Sequence, residues 1–186
     1  MGIDRGGRRA VFLDRDGVIN RAIVREGRPY PPAHVDDLEV LPGVPDALRR
    51  LRDAGFRLVV VTNQPDVARG TQQRSVIDAM HARLSAALPL DEFRVCDHDD
   101  ADGCGCRKPN AGLLEAAARD GGLSLPDSFM VGDRWRDVEA GRRAGCRTIF
   151  VDRGSREQPP ERPDAIVASL PEAVEWILSR SRSDPA

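Results

Sequence analysis

Two aspartates stand two residues apart in the segment LDRDG, as Asp14 and Asp16. The segment closes an apolar run, and on an extended chain residues two apart point the same way. Carboxylates aimed together repel each other, and a cation or a shared proton relieves them. Such a pair can carry phosphoryl chemistry. One carboxylate attacks phosphorus and becomes an aspartyl-phosphate. The other protonates the leaving alkoxide and later deprotonates the water that hydrolyses the intermediate. Taken alone, a helix cap plus a turn residue explains the pair equally well.

Other residues join them. The run FMVGDRWRD places Asp133 at a strand tip and Asp137 one turn later, and RLVVVTNQ ends with Thr62 and Asn63. If these strands lie in one parallel sheet, their tips share an edge. Three aspartates from two strand ends then form a hard, oxygen-rich site suited to Mg²⁺. Thr62 supplies a hydroxyl donor, and Arg107 and Lys108 supply positive charge against a transferring phosphoryl group.

The segment CDHDDADGCGCRKP concentrates three of the four cysteines and one of the three histidines. Cys96, His98, Cys104 and Cys106 make up the closed ligand set of a structural Zn²⁺ site. Their spacing is not that of a zinc finger. The competing reading is a solvated acidic loop with unrelated thiols. A metal here would be architectural, because Cys106 is followed directly by Arg107 and Lys108. Pinning that loop removes the freedom of two residues that must meet a phosphate. Cys146 reads as a small buried residue. His34 and His81 have no partner visible by spacing.

The elements that must position these groups are legible as alternation. Short apolar runs at 10–14, 57–62, 93–96, 129–133, 147–152 and, more weakly, 164–168 read as strands. Helical patterns fall at 43–54, 72–88, 110–121, 135–144 and 170–180. Unbroken apolar strands alternating with helices predict an α/β fold, a Rossmann-like parallel sheet with helices on both faces. The expected organisation is a single domain over 1–186 with its core at 9–178 and frayed ends at 1–9 and 181–186. Residues 21–41 show no periodicity and read as a long loop on the ligand side of the sheet. The stretch 153–163 reads as an exposed connection.

Composition narrows the partners. The net charge of −2 gives no electrostatic footprint for nucleic acid or an anionic membrane. At 4% aromatic residues, base-stacking platforms are unexpected. No apolar run approaches a membrane span, and MGIDRGGRRA lacks both a signal-peptide apolar region and a myristoylation pattern. A cytoplasmic monomer is expected.

The motifs FLDRDGV, VVVTNQ, CRKP and MVGDRWRD, in that order, resemble those of the haloacid dehalogenase (HAD) superfamily. The resemblance implies Asp14 as nucleophile and Asp16 as general acid and base, with Thr62 and Lys108 stabilising the phosphoryl group. It implies Mg²⁺ held by Asp14, Asp133 and the backbone carbonyl of Asp16, with Asp137 in support. The intervals between motifs leave no room for the superfamily's cap domain. Together with the cysteine loop, that narrows the resemblance to the capless, zinc-containing group of sugar and histidinol phosphatases.

Within that group the implied substrate is the 7-phosphate of D-glycero-D-manno-heptose 1,7-bisphosphate, with histidinol phosphate or another small metabolite as the alternative. Tyr30, Asn63, Gln64, Arg107 and Arg134 would contact it. Three features depart from the group's pattern: Pro65-Asp66 replaces Ser-Gly, the loop before Tyr30 is longer, and Arg134 stands where lysine is usual. Outside enzymes, a receiver-type phosphoacceptor domain shares the Asp, Thr and Lys arrangement but lacks an acid two residues after the acceptor.

Overall fold

Val11 and Leu13 face one apolar layer, and Ala10 and Phe12 face the other. That two-sided burial is why the strands read as unbroken apolar runs. The computed structural model describes residues 7–181. Strand β1 (Ala10–Leu13) leads to a small hairpin, β2 (Ile23–Arg25) and β3 (Arg28–Tyr30). Helix α1 (Val44–Asp53), β4 (Arg57–Asn63), α2 (Arg74–Ala87) and β5 (Glu92–Cys96) follow. The chain continues through α3 (Gly112–Gly121), β6 (Phe129–Gly132), α4 (Trp135–Ala144), β7 (Arg147–Val151), β8 (Ala165–Val167) and α5 (Leu170–Ser181).

Six strands form one parallel sheet in the order β5-β4-β1-β6-β7-β8. One layer of the core packs the sheet against α1, α2 and α5, through Leu48, Leu51, Met80, Leu84, Val174 and Ile177. The other packs it against α3 and α4, through Leu114, Ala117 and Ala140. The expected α/β sheet with helices on both faces is what forms. No helix among the described residues is long and apolar enough to cross a membrane.

Register sets the geometry of the site. Leu13 lies opposite Val60 on one side and Val131 on the other. Asp14, Thr62 and Asp133 therefore leave the sheet within two residues of a common line. Chain order reverses around β1, and open α/β sheets bind ligands outside the strand ends at such a reversal.

Two expectations need correction. Residues 21–41 are not a structureless loop. Arg25 pairs with Arg28 across a two-residue turn, Glu26-Gly27, whose φ values are 51° and 76°. Two positive φ values mark the turn type that matches strand twist. A glutamate in place of the usual Asn or Asp, and strands of three residues, hid the hairpin. A 3-10 turn at Val35–Asp37 follows it.

Nor do residues 8 and 9 fray. Arg8 bridges Leu123, and Arg9 O accepts from Arg57 N at 2.9 Å. The expected fraying of 1–6 and 182–186 lies outside the described residues. The 153–163 connection is largely exposed, and it backs the hairpin: Arg156 N donates to Gly27 O at 3.2 Å.

Candidate active site

The chain turns sharply after β1. The carbonyl of Arg15 accepts from the backbone N–H of Val18, Ile19 and Asn20. Gly17 sits in this turn at φ +86°, where a Cβ would fall 2.1 Å from Asp133 Oδ2. Only glycine lets the turn carry Asp14 and Asp16 this close to the tip of β6.

Asp14, Asp133 and Asp137 bring one carboxylate oxygen each to within 4.8 Å of one another, and all three side chains are buried. Lys108 Nζ donates to Asp14 Oδ1 at 2.8 Å, to Asp137 Oδ1 at 2.6 Å and to Val61 O at 2.8 Å. Burial pushes the Asp14 carboxyl up to about 6; Lys108 opposes that rise, and Asp137 and Asp16 add to it. Burial also raises Asp133 well above the usual carboxylate range, and the charges of Asp14 and Asp137 add to it. The carboxylates hold the Lys108 ammonium charged against its own burial. Asp133 Oδ1 is buried with no hydrogen-bond partner. Three buried carboxylates facing one ammonium, with one oxygen orphaned, fit a hard divalent cation. Asp137 belongs to this group more intimately than its sequence position suggested.

The β4 tip divides its labour. Thr62 faces the cavity. Asn63 grips the backbone of Lys108 in both directions, donating to its carbonyl at 3.0 Å and accepting from its N–H at 3.1 Å. Gln64, expected to touch substrate, does not line the cavity. It is 1% exposed and donates to Asp16 Oδ2 at 3.0 Å and Thr62 Oγ1 at 2.9 Å. Asp16 also accepts from Asn20 Nδ2 at 2.9 Å and pairs with Arg15.

The cysteine loop closes on itself. Cys96 Sγ lies 3.6 Å from His98 Nδ1 and 3.6 Å from Cys104 Sγ. Cys106 Sγ lies 3.2 Å from Cys96, 3.3 Å from Cys104 and 3.4 Å from His98. These separations are too long for disulfides and near the ~3.8 Å edge of a tetrahedral thiolate shell with Zn–S of ~2.3 Å. The four residues could hold one metal ion.

The acids of this loop are not merely solvated. Asp97 pairs with Arg74, Asp99 with Arg69, and Asp100 with both Arg107 and Arg136. Arg107 also donates to His98 O at 3.3 Å. The loop thereby fixes four arginines, of which Arg69, Arg107 and Arg136 line the site.

A cavity of about 360 Å³ opens over these groups, lined by Asp14, Asp16, Thr62 and Lys108 at its floor. Arg69, Arg107 and Arg136 form part of its wall, and Tyr30 reaches it from the hairpin. Arg134 lines it too, while donating to Pro29 O at 2.6 Å and pairing with Glu157 at 3.5 Å. Asp133 faces an adjoining hollow beside Gly17 and Arg153. Sequence reasoning missed Arg69, Arg136, Arg15 and His81. The contacts Arg69–Asp99, Arg136–Asp100 and Arg15–His81 join remote segments, so spacing carried no signal for them.

The family model described as HAD-hydrolase-like matches residues 105–173. The chain is 38% identical to a D-glycero-D-manno-heptose-1,7-bisphosphate 7-phosphatase of Thermosynechococcus vestitus, covering 92% of this chain and 96% of that one. It is 33% identical to the D-glycero-β-D-manno-heptose-1,7-bisphosphate 7-phosphatase of Escherichia coli K12, covering 89% and 93%. The crystal structure of D,D-heptose 1,7-bisphosphate phosphatase from B. bronchiseptica, complexed with magnesium and phosphate, superposes with a TM-score of 0.79. That comparison has 30% identity and covers 92% of this chain and 99% of the other. A chain so related is a phosphatase rather than a phosphate-storing receiver. The chain belongs to the HAD-like hydrolases, in the family of the heptose bisphosphate 7-phosphatases, and is a phosphoric monoester hydrolase.

Proposed function

We propose that this chain hydrolyses the 7-phosphate of D-glycero-D-manno-heptose 1,7-bisphosphate through an aspartyl-phosphate on Asp14. The observation that carries the mechanism is the meeting of Asp14, Asp16, Thr62 and Lys108 on the floor of one cavity. The names of the relatives support the substrate. An Asp14 carboxylate oxygen attacks phosphorus, and the bond from phosphorus to the sugar oxygen breaks. The electron pair goes to that oxygen, which takes a proton from the Asp16 carboxyl group. A water molecule then loses a proton to Asp16 and attacks phosphorus. The Asp14–phosphate bond breaks, releasing inorganic phosphate and restoring the carboxylate.

Lys108 and the Thr62 hydroxyl meet charge on the phosphoryl oxygens. Mg²⁺, held by Asp14, Asp133 and the Asp16 carbonyl with Asp137 beside them, would neutralise phosphoryl charge and so favour attack by an anionic nucleophile. Zn²⁺ is assigned to Cys96, His98, Cys104 and Cys106, as the brace that fixes Arg107 and Lys108. Tyr30, Asn63, Arg107 and Arg134 are assigned to the substrate side, and Gln64 to support of Asp16. On this reading the protein works as a cytoplasmic monomer.

Histidinol phosphate fits less well. An amine needs a free acid, and Asp66 and Asp100 on the cavity wall are both paired with arginines. The test is phosphate release with Mg²⁺ across both heptose 1,7-bisphosphate anomers, histidinol phosphate, fructose 1,6-bisphosphate and a nucleoside monophosphate. A kcat/KM for a heptose bisphosphate well above the rest is expected. A flat profile, or a preference for histidinol phosphate, would reject the assignment.

A further inference from the structure

Arg15 lies between the two site aspartates, yet it has no exposed surface and does not line the cavity. Its guanidinium points inward and grips Asp16 from behind. Nε donates to Asp16 Oδ1 at 3.2 Å, and Nη2 reaches Oδ1 at 3.0 Å and Oδ2 at 2.9 Å. Nη1 lies 3.2 Å from His81 Nε2 on α2. A guanidinium cannot accept a hydrogen bond, so Nε2 must be the acceptor, and His81 is a neutral imidazole with its proton on Nδ1. The His81 ring is in turn stacked on Phe93 of β5, with centroids 4.5 Å apart and planes at 24°.

A buried cation is costly unless its donors are satisfied. Here four contacts are spent on one catalytic carboxyl group and one histidine, and none on the substrate side. Asp16 itself ends at the cavity floor, with its side chain 15% exposed. We propose that Arg15, anchored by His81, is a positioning residue for Asp16 that fixes the plane of its carboxyl group at the cavity floor. Proton transfer demands that geometry, because a general acid must sit within hydrogen-bond reach of the oxygen it serves. The inference rests on the assignment of Asp16 as proton donor and acceptor. His81, without a visible role in the sequence, becomes the far anchor of this arrangement.

Two substrates with different leaving groups test it. A sugar alkoxide needs a proton as it departs, whereas 4-nitrophenolate does not. kcat/KM covers the steps through formation of the aspartyl-phosphate, so it isolates that proton donation. Arg15→Lys keeps the charge but cannot hold Asp16 and His81 together. It should lower kcat/KM for heptose 1,7-bisphosphate by about 10- to 100-fold. For 4-nitrophenyl phosphate the value should stay within about twofold. In an Asp16→Asn background, Arg15→Lys should add no further loss. Equal losses on both substrates, no loss on either, or full additivity over Asp16→Asn would overturn the inference.

His81→Leu tests the same point with Arg15 in place, and should give a smaller loss confined to the sugar phosphate. If Arg15→Lys does not fold by circular dichroism, this variant decides, and an unselective or absent loss rejects the proposal. Asp16→Asn alone keeps the underlying assignment separate. Full sugar-phosphate turnover in that variant would reject the role of Asp16. An inactive Asp16→Asn beside an unaffected Arg15→Lys would reject only the positioning role.

Discussion

Lys108 Nζ donates to Asp14 Oδ1 across 2.8 Å, although 94 residues separate the two in sequence. The contact joins the loop after the cysteine cluster to the tip of the central strand. It also sets the electrostatics of the floor, where Lys108 is the cation that touches both Asp14 and Asp137.

Lys108→Met should therefore do more than lower activity. Removing one partner of a buried ion pair typically costs about 3–5 kcal/mol. A clear drop in melting temperature is expected in chelator-treated, Mg²⁺-free buffer, with part of it regained on adding Mg²⁺. Phosphate release should fall below about a thousandth of the parent rate. Near-normal turnover in a folded variant would remove Lys108 from the phosphoryl site.

The cysteine cluster makes a second prediction. Cys104→Ser should lose the bound metal, measured by elemental analysis of purified protein, and should melt earlier than the parent. Because Arg107 is held by Asp100 and by the carbonyl of His98, KM should rise along with the loss of stability. A parent protein that carries no stoichiometric zinc would count against the architectural role.

Acid stability follows from His81. Burial and then Arg15 lower its pKa from 6.5 to about 4, while Asp16 and Asp78 pull the other way and Arg74 adds to the lowering. The unfolded chain thus binds a proton here between about pH 6.5 and 4 that the folded chain does not. The contribution of this residue is complete above that window and is lost as pH drops through it, roughly 3 kcal/mol in all. Urea titrations at pH 7 and pH 4.5 should show the loss, and His81→Leu should lessen it. Parallel curves for parent and variant would assign the acid sensitivity elsewhere.

The hairpin offers a test with little effect on the core. Gly27 sits at φ +76°, and a Cβ there would lie 2.8 Å from Arg156 Cδ. Gly27→Ala should displace the hairpin and with it Tyr30, at a cost of about 1 kcal/mol locally. KM for the heptose substrate should rise severalfold with kcat nearly unchanged. A fall in kcat with constant KM would show that the hairpin serves the chemical step rather than the sugar.

Much of this was legible because the sheet translates sequence into position. Apolar runs marked the strands, and parallel pairing carries Asp14, Thr62 and Asp133 to one edge. The cysteine loop was legible because its ligands lie within one short segment. What spacing could not reveal was contact between remote segments. Arg15 meets His81 across 66 residues, and Arg136 meets Asp100 across 36. Gln64 was placed on the substrate side by resemblance alone. Its buried side chain instead donates to Asp16 and Thr62, partners that spacing did not reveal.

An ammonium has three protons, and those of Lys108 are all engaged by Asp14, Asp137 and the carbonyl of Val61. An arriving phosphoryl oxygen must therefore displace one of these acceptors before Lys108 can serve it. Substrate capture at this floor is an exchange of partners, not the filling of a waiting vacancy. The sugar brings contacts that offset the exchange; free phosphate does not. Inorganic phosphate is accordingly expected to be a weak competitor, leaving readily once the ester bond is cut.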